Sequence, residues 1–284
     1  MGRITNIAWT AVPVGLAGHE RCPTPGCRAE LFIVDGVQYH PGATHNPWWG
    51  CVKIGPECAH CYACAFDHRL AGGHWGKDAP RRFFGAKHWD EPRRLNRHAE
   101  QLGVRLRVFC ASMADVFEDR PDLVTHRSRL WTLIQDTPHL DWLLLTKRPE
   151  NFSRMLPWHT EQDSYPDIIP PWPNVWLGVT AGTQETADEL IPILLDTPAA
   201  LRFVSYEPAL EAVDFSRFMS GIDWLIAGSE SGPKARPAEL DWYRAARDQC
   251  DRGDVPFVLK QFADRDRKIP LPLLDGRQHF AFPR

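Results

Sequence analysis

The chain has no run of 18 or more apolar residues, so no segment reads as a membrane-spanning helix. Its N-terminus, MGRITNIAWT, lacks the extended apolar stretch of a secretion signal. Together these absences predict a cytoplasmic protein with no membrane partner, whose thiols stay reduced. An excess of positive charge is missing too. Lys and Arg number 33 against 36 Asp and Glu, a formal net charge of −3, which argues against a wholly basic nucleic-acid binder. No break in composition divides the 284 residues, a length routine for a single α/β barrel. With 43% hydrophobic residues the core material is ample, and nothing reads as disordered.

What is present is a concentration of cysteine. Of eight cysteines, four fall within residues 48–64, WWGCVKIGPECAHCYAC. Without a secretion signal, such density indicates metal or cluster ligands rather than disulfides. Cys51-x6-Cys58-x2-Cys61 supplies three thiolates, and Cys64 adds a further x2 step. Zinc would accept four sulfurs in a closed tetrahedron. A [4Fe–4S] cube could also take all four and serve as an electron carrier, whereas a three-ligand cube leaves one iron open. If a helix begins at Tyr62, Cys61 and Cys64 share a face, so Cys64 can neighbour a cluster without binding it.

Beyond this loop a repeating pattern begins. VFCASM (108–113), WLLLTK (142–147), VWLGVT (175–180), LRFVSYE (201–207), WLIAGSE (224–230) and PFVLKQ (256–261) are short apolar runs. Helix-like stretches lie among them. Tyr62–Ala71 is stopped by Gly72-Gly73, Leu123–Gln135 has periodic leucines, Thr183–Leu195 opens on a capping box, and Pro237–Cys250 precedes Gly253. Continuous apolar strands alternating with helices predict a parallel sheet covered on its outside. Each run ends in polar residues: Ser112 and Asp115; Thr146, Lys147 and Arg148; Thr180; Ser205, Tyr206 and Glu207; Ser229, Glu230 and Ser231; Lys260 and Gln261. In a parallel barrel such tails meet on the C-terminal face, where ligands bind. A single tail residue can equally be a helix cap, but a whole series is harder to explain that way.

Two stretches stand apart. Residues 11–44 read as an elaboration inserted before the cysteine loop. There an apolar run, Leu31–Val34, ends at Asp35-Gly36 as a hairpin signal. Cys22 and Cys27 in it resemble half of a zinc ribbon, with His19, His40 or His45 as completing ligands. From Trp75 to Arg107, nine Lys/Arg stand against four Asp/Glu, interleaved with aromatics. That mixture suits a phosphate backbone with stacked bases, or merely a solvated face.

The cysteine loop resembles a lengthened CxxxCxxC motif of the radical S-adenosylmethionine (SAM) superfamily. More narrowly, IAWT, THNPWWGCVKIGPECAHCYA, LLLTKRPE, NVWLGVT, RFVSYEPAL, WLIAGSESGPKARP and VPFVLKQF resemble successive blocks of a phage-associated family, the gene-product thirty-seven/sixty-eight family. The departures are the 11–44 elaboration and Cys64. The resemblance implies one domain over residues 1–284, a partial (β/α) TIM-like barrel of parallel strands of the radical SAM type. It implies a [4Fe–4S] cluster on Cys51, Cys58 and Cys61 whose open iron chelates SAM. An external one-electron reductant would then drive cleavage of SAM to methionine and a 5′-deoxyadenosyl radical, which abstracts hydrogen from a substrate, with a nucleotide or nucleic acid as the leading candidate. On this reading His60 and Tyr62 pack on adenine, and Ser112, Thr180 and Glu207 meet the amino, carboxylate and ribose groups. Lys147 and Arg148 pair with the SAM carboxylate or a substrate phosphate, while Glu230 and Lys260 face the substrate. Two other readings stand beside it: a zinc-binding nucleic-acid interaction protein, and a four-cysteine iron–sulfur carrier or sensor using Cys64.

Overall fold

Six of the apolar runs become consecutive parallel strands. The computed structural model describes residues 3–4, 10–15, 19–23, 27, 29–34, 36–158, 170–231, 234–264 and 267–283. The early strands are short: β1 (Arg3–Ile4), β2 (Val12–Pro13), β3 (Phe32–Val34), β4 (Val37–His40), β5 (Ala43–Thr44), β6 (Trp48–Trp49) and β7 (Arg82–Phe83). The parallel run follows as β8 (Leu106–Cys110), β9 (Leu140–Thr146), β10 (Val175–Thr180), β11 (Leu201–Tyr206), β12 (Trp224–Gly228) and β13 (Phe257–Asp264). The chain closes with β14 (Arg267–Pro270), β15 (Leu273–Leu274) and β16 (Arg277–Gln278). The helices are α1 (Tyr62–Arg69), α2 (Ala86–Trp89), α3 (Glu91–Leu102), α4 (Val124–Gln135), α5 (Phe152–Met155), α6 (Gln184–Asp196) and α7 (Leu240–Gly253).

The main sheet has nine strands in the order β1-β5-β8-β9-β10-β11-β12-β13-β14. Every neighbouring pair from β5 to β13 is parallel, and the edge strands β1 and β14 run antiparallel. It is a mixed α/β fold whose curled, mostly parallel sheet is compatible with a partial barrel. No helix among the described residues is long and apolar enough to cross a membrane.

Alternation along each strand divides the core in two. Leu106, Val108 and Cys110 of β8, and Val175, Leu177 and Val179 of β10, face the helices and join the large outer core. The intervening Phe109, Leu143, Trp176, Phe203, Trp224 and Val258 face inward, where Phe280 and Phe282 of the C-terminal segment pack against them. Arg107 is buried in this plug, its guanidinium 4.3 Å from the Phe282 ring centre and 5.2 Å from that of Trp176. The plug fills the N-terminal end of the sheet's concave side and leaves the C-terminal end open.

Gly178 marks the level at which the plug stops. A Cβ there would lie 2.4 Å from the Phe203 ring, so only glycine lets that ring lie across β10. Gly178→Ala is therefore expected to destabilise the fold by about 1–3 kcal/mol, as overpacking does. A urea unfolding midpoint equal to that of the parent would count against this.

Several boundaries differ from the sequence reading. The N-terminal elaboration contains a three-stranded antiparallel sheet, β2-β4-β3, turning at Gly36 with φ +80°; Asp35 lies outside the described residues. Residues 43–44, assigned to the elaboration, instead form β5 of the main sheet, paired with β8. The last helix starts at Leu240 rather than Pro237. Helix α3 lies within the stretch read only as a basic run; its Leu95, His98 and Ala99 are buried.

Candidate functional site

Above the plug, at the C-terminal ends of the parallel strands, lies a cavity of ≈ 290 Å³. Cys51, Cys58 and Cys61 line it, together with polar residues from all six of the main strand tails. Cys64 does not. It sits buried on α1 and lines a wider neighbouring cleft, which Cys61 also borders.

The local sequence explains the loop's shape. Gly50 has φ +113°, and a Cβ there would come within 2.2 Å of the His74 carbonyl oxygen, so glycine is required just before Cys51. Pro56 opens a 3-10 turn over Pro56–Cys58, and Cys61 stands as the N-cap of α1.

Three long-range ties fasten this loop to the rest of the fold. From the end of β9, Arg148 donates to the Val52 carbonyl at 2.7 Å and to Cys51 Sγ at 3.5 Å, and pairs with Asp115 at 2.9 Å. Asp115 also accepts from Thr146 Oγ1 at 2.7 Å. Beyond β12, Arg236 donates to the Pro56 carbonyl at 2.9 Å and to Glu230 at 2.6 Å. Finally, the buried Glu57 carboxylate accepts from Gly182 N at 3.0 Å and Thr186 Oγ1 at 2.7 Å, at the start of α6. A carboxylate is favoured there by the helix dipole. Burial pushes the Cys51 thiol up to about 12, assisted by the Asp115 charge and opposed by Arg148.

The expected ligand-facing residues have distinct fates. Thr180 is 1% exposed, lines the cavity, and its Oγ1 has no hydrogen-bond partner among the described residues. Lys147 lines it as well and makes no ion pair among the described residues, whereas Arg148 is committed to Asp115. Glu207 is engaged by Lys260 at 2.8 Å and by Gln261 at 3.0 Å. His60 Nδ1 lies 3.0 Å from Glu230 Oε2. Burial raises the Glu230 carboxyl, yet hydrogen bonds from Arg236 and His60 outweigh it and hold the group below the usual range. Tyr62 is half exposed and donates to the Ser112 carbonyl at 2.8 Å, while Ser112 Oγ accepts from Asn46 Nδ2 at 3.2 Å. Tyr206 belongs elsewhere. Between the inward Ser205 and Glu207, it points outward into the helix-side core.

The neighbouring cleft is larger, ≈ 1130 Å³, and shares His60, Cys61, Tyr62 and Ser112 with the inner cavity. Trp49, Phe66 and Phe84 form its aromatic wall, and the Arg82 guanidinium lies 4.8 Å from the Trp49 ring centre. Lys53, Arg69 and Lys234 add positive charge, and Glu91 is the one carboxylate among the described residues of its lining. Of the Lys and Arg side chains described in the basic stretch, only Arg82 lines it, beside Phe84, His88 and Glu91. Arg81 and Arg107 are buried, while Arg93 and Arg105 pair with Asp136 and Asp141.

Sequence reasoning missed Glu57, Arg236, Arg81 and His98. Arg81 is wholly buried, paired with Glu118 at 2.6 Å, and donates to the carbonyls of His74, Gly76 and Ala79. Gly76 N in turn donates to the Cys51 carbonyl at 3.0 Å, so this pair supports the cysteine loop from behind. The described residues hold one compact group of metal-binding donors, Cys22, Cys27, His40 and His98, all within 4.8 Å of one another. This group can hold a metal ion. His40 is one of the three histidines considered from sequence. His45 instead stacks on His88 at 4.7 Å, and His19 accepts from Gln38 through its carbonyl. Among the described residues the thiols of the cysteine loop do not form such a group.

No curated protein and no solved structure matches the chain. A family model described as "Protein of unknown function (DUF5131)" matches residues 38–283, most of its length, and the chain therefore belongs to the DUF5131 family.

Proposed function

We propose that this protein is a radical SAM enzyme whose cluster is held by Cys51, Cys58 and Cys61. One observation carries the reading: these three thiols, and not Cys64, line the same cavity as the strand-end polar groups. The fit of the chain to the cofactors is supported in two ways. An unpartnered Thr180 hydroxyl is satisfied by a polar ligand. Lys147 offers a cation for a carboxylate. Bound together, a [4Fe–4S] cluster and SAM supply one-electron cleavage of the sulfonium C–S bond and a carbon radical able to take hydrogen from a substrate.

The chain's own contribution is binding and exclusion. Lys147 and Thr180 orient polar groups of SAM, Tyr62 and His60 stand between the inner cavity and the cleft, and the plug below Gly178 closes the floor. The external electron donor and the substrate approach from the open side. A cleft of ≈ 1130 Å³ exceeds the roughly 300–1,000 Å³ usual for one small ligand. Its edge-packed Trp49, Phe66 and Phe84 with Lys53, Arg69, Arg82 and Lys234 suit bases and phosphates, which favours a nucleotide or nucleic acid as substrate.

Anaerobic reconstitution with iron and sulfide should load about four irons per chain. Dithionite and SAM should then yield 5′-deoxyadenosine. Reconstituted protein that leaves SAM intact under these conditions would remove the enzyme assignment, whatever the cleft binds.

A further inference from the structure

The N-terminal sheet β2-β4-β3 has little apolar core of its own. Its buried cluster is Ala11, Val34 and Tyr39, helped by Phe32 and by Phe280 and Phe282 of the C-terminal segment. A unit this small ordinarily needs a disulfide, a metal or a large neighbour to hold its place. The side of the sheet nearest α3 offers such a staple.

Four donors meet there from three separate segments. Cys22 Sγ lies 3.4 Å from His98 Nε2, and Cys27 Sγ lies 3.4 Å from His40 Nε2. A tetrahedral zinc ion, with bonds near 2.3 Å to sulfur and 2.0–2.1 Å to nitrogen, places its donors roughly 3.3–3.8 Å apart. Both of these sulfur–nitrogen distances fall in that interval, and all four donors lie within 4.8 Å of one another. Burial agrees: Cys22, His40 and His98 are 6%, 0% and 8% exposed. The surroundings complete the pattern. His40 Nδ1 lies 2.5 Å from the Pro41 carbonyl, so Nδ1 carries the proton and Nε2 is left as the donor. Ala29 N donates to Cys27 Sγ at 3.4 Å, the kind of bond that steadies a thiolate. Two thiolates with two imidazoles, closed and without an open position, is the donor set of structural zinc rather than of a catalytic ion.

We infer that Cys22, Cys27, His40 and His98 bind one structural zinc ion that fastens the N-terminal sheet to α3. This centre is separate from the cysteine loop and independent of the function proposed for it. The family model begins at residue 38, so the two imidazoles lie inside the matched region and the two thiols outside it. The ion therefore joins a segment beyond the matched region to a helix within it.

Zinc and iron are to be counted separately by mass spectrometry on full-length protein purified without oxygen. The expected result is one zinc per chain, retained when Cys51, Cys58 and Cys61 are all replaced by Ala and lost on His98→Ala or on Cys22→Ser with Cys27→Ser. Circular dichroism of each variant establishes that zinc was lost from a folded chain. Cobalt(II) alone, added to chelator-stripped protein, should give tetrahedral d–d bands with thiolate charge transfer. Those bands should vanish in the Cys22→Ser, Cys27→Ser protein. Parent protein without zinc and without a tetrahedral cobalt spectrum would overturn the inference. So would zinc that persists at one per chain after His98 and both cysteines are replaced. Neither result touches the iron content by which the proposed function is judged.

Discussion

Replacing Cys51, Cys58 or Cys61 singly by Ala is expected to reduce reconstituted iron and 5′-deoxyadenosine formation to background, whereas Cys64→Ala keeps both. The asymmetry follows from the walls of the two cavities. Three thiols face the strand ends, and Cys64 faces the outer cleft from α1. A four-thiolate electron carrier requires the opposite for Cys64, whose removal would then destroy the cluster, and a zinc loop would take up no iron in any variant. Iron and sulfide analysis with the visible spectrum of each protein distinguishes the three. Arg148→Gln belongs to the same series. It keeps every ligand but removes the donor to Val52 and Cys51, and a fall of about 10–100-fold in activity is expected, as for other groups that orient metal ligands.

Arg81→Met is expected to cost about 3–5 kcal/mol in stability, because it leaves the Glu118 carboxylate buried without its partner. The arginine also satisfies three backbone carbonyls, and those would lose their donor together. The double variant Arg81→Met, Glu118→Leu should recover part of the loss, since a buried ion pair exchanged for apolar side chains is often nearly neutral. Urea titration of the metal-free chains provides the comparison. A loss for Arg81→Met within the ±0.5 kcal/mol or so typical of surface changes would show that the pair carries no structural load. Because residues 74–79 back the cysteine loop, iron uptake should fall in this variant even at temperatures where it remains folded.

The strands were the most legible part of this sequence, because a buried parallel strand writes itself as a continuous apolar run bounded by polar residues. The period of two then decides which tail residues meet: Ser205 and Glu207 enter the cavity and Tyr206 turns to the helices. Helix α3 was hidden for the opposite reason. Its arginines dominate the local composition, while the face that matters is only Leu95, His98 and Ala99. Least legible were the ties over distance. Glu57 meets Gly182 across 125 positions, Arg236 meets Pro56 across 180, and His98 meets Cys22 across 76. No local pattern marks such pairs, since folding alone makes them neighbours.

The ties from Arg148 to Val52, from Arg236 to Pro56 and from Gly182 to Glu57 act on backbone carbonyls and a carboxylate. The loop's path is thus set by bonds that survive whether or not the thiols are engaged. A chain stripped of the proposed cluster by air should therefore stay folded, with a lowered unfolding midpoint, and refill on anaerobic return of iron and sulfide. On that reading, oxygen damage would be a matter of emptying and restocking rather than of collapse.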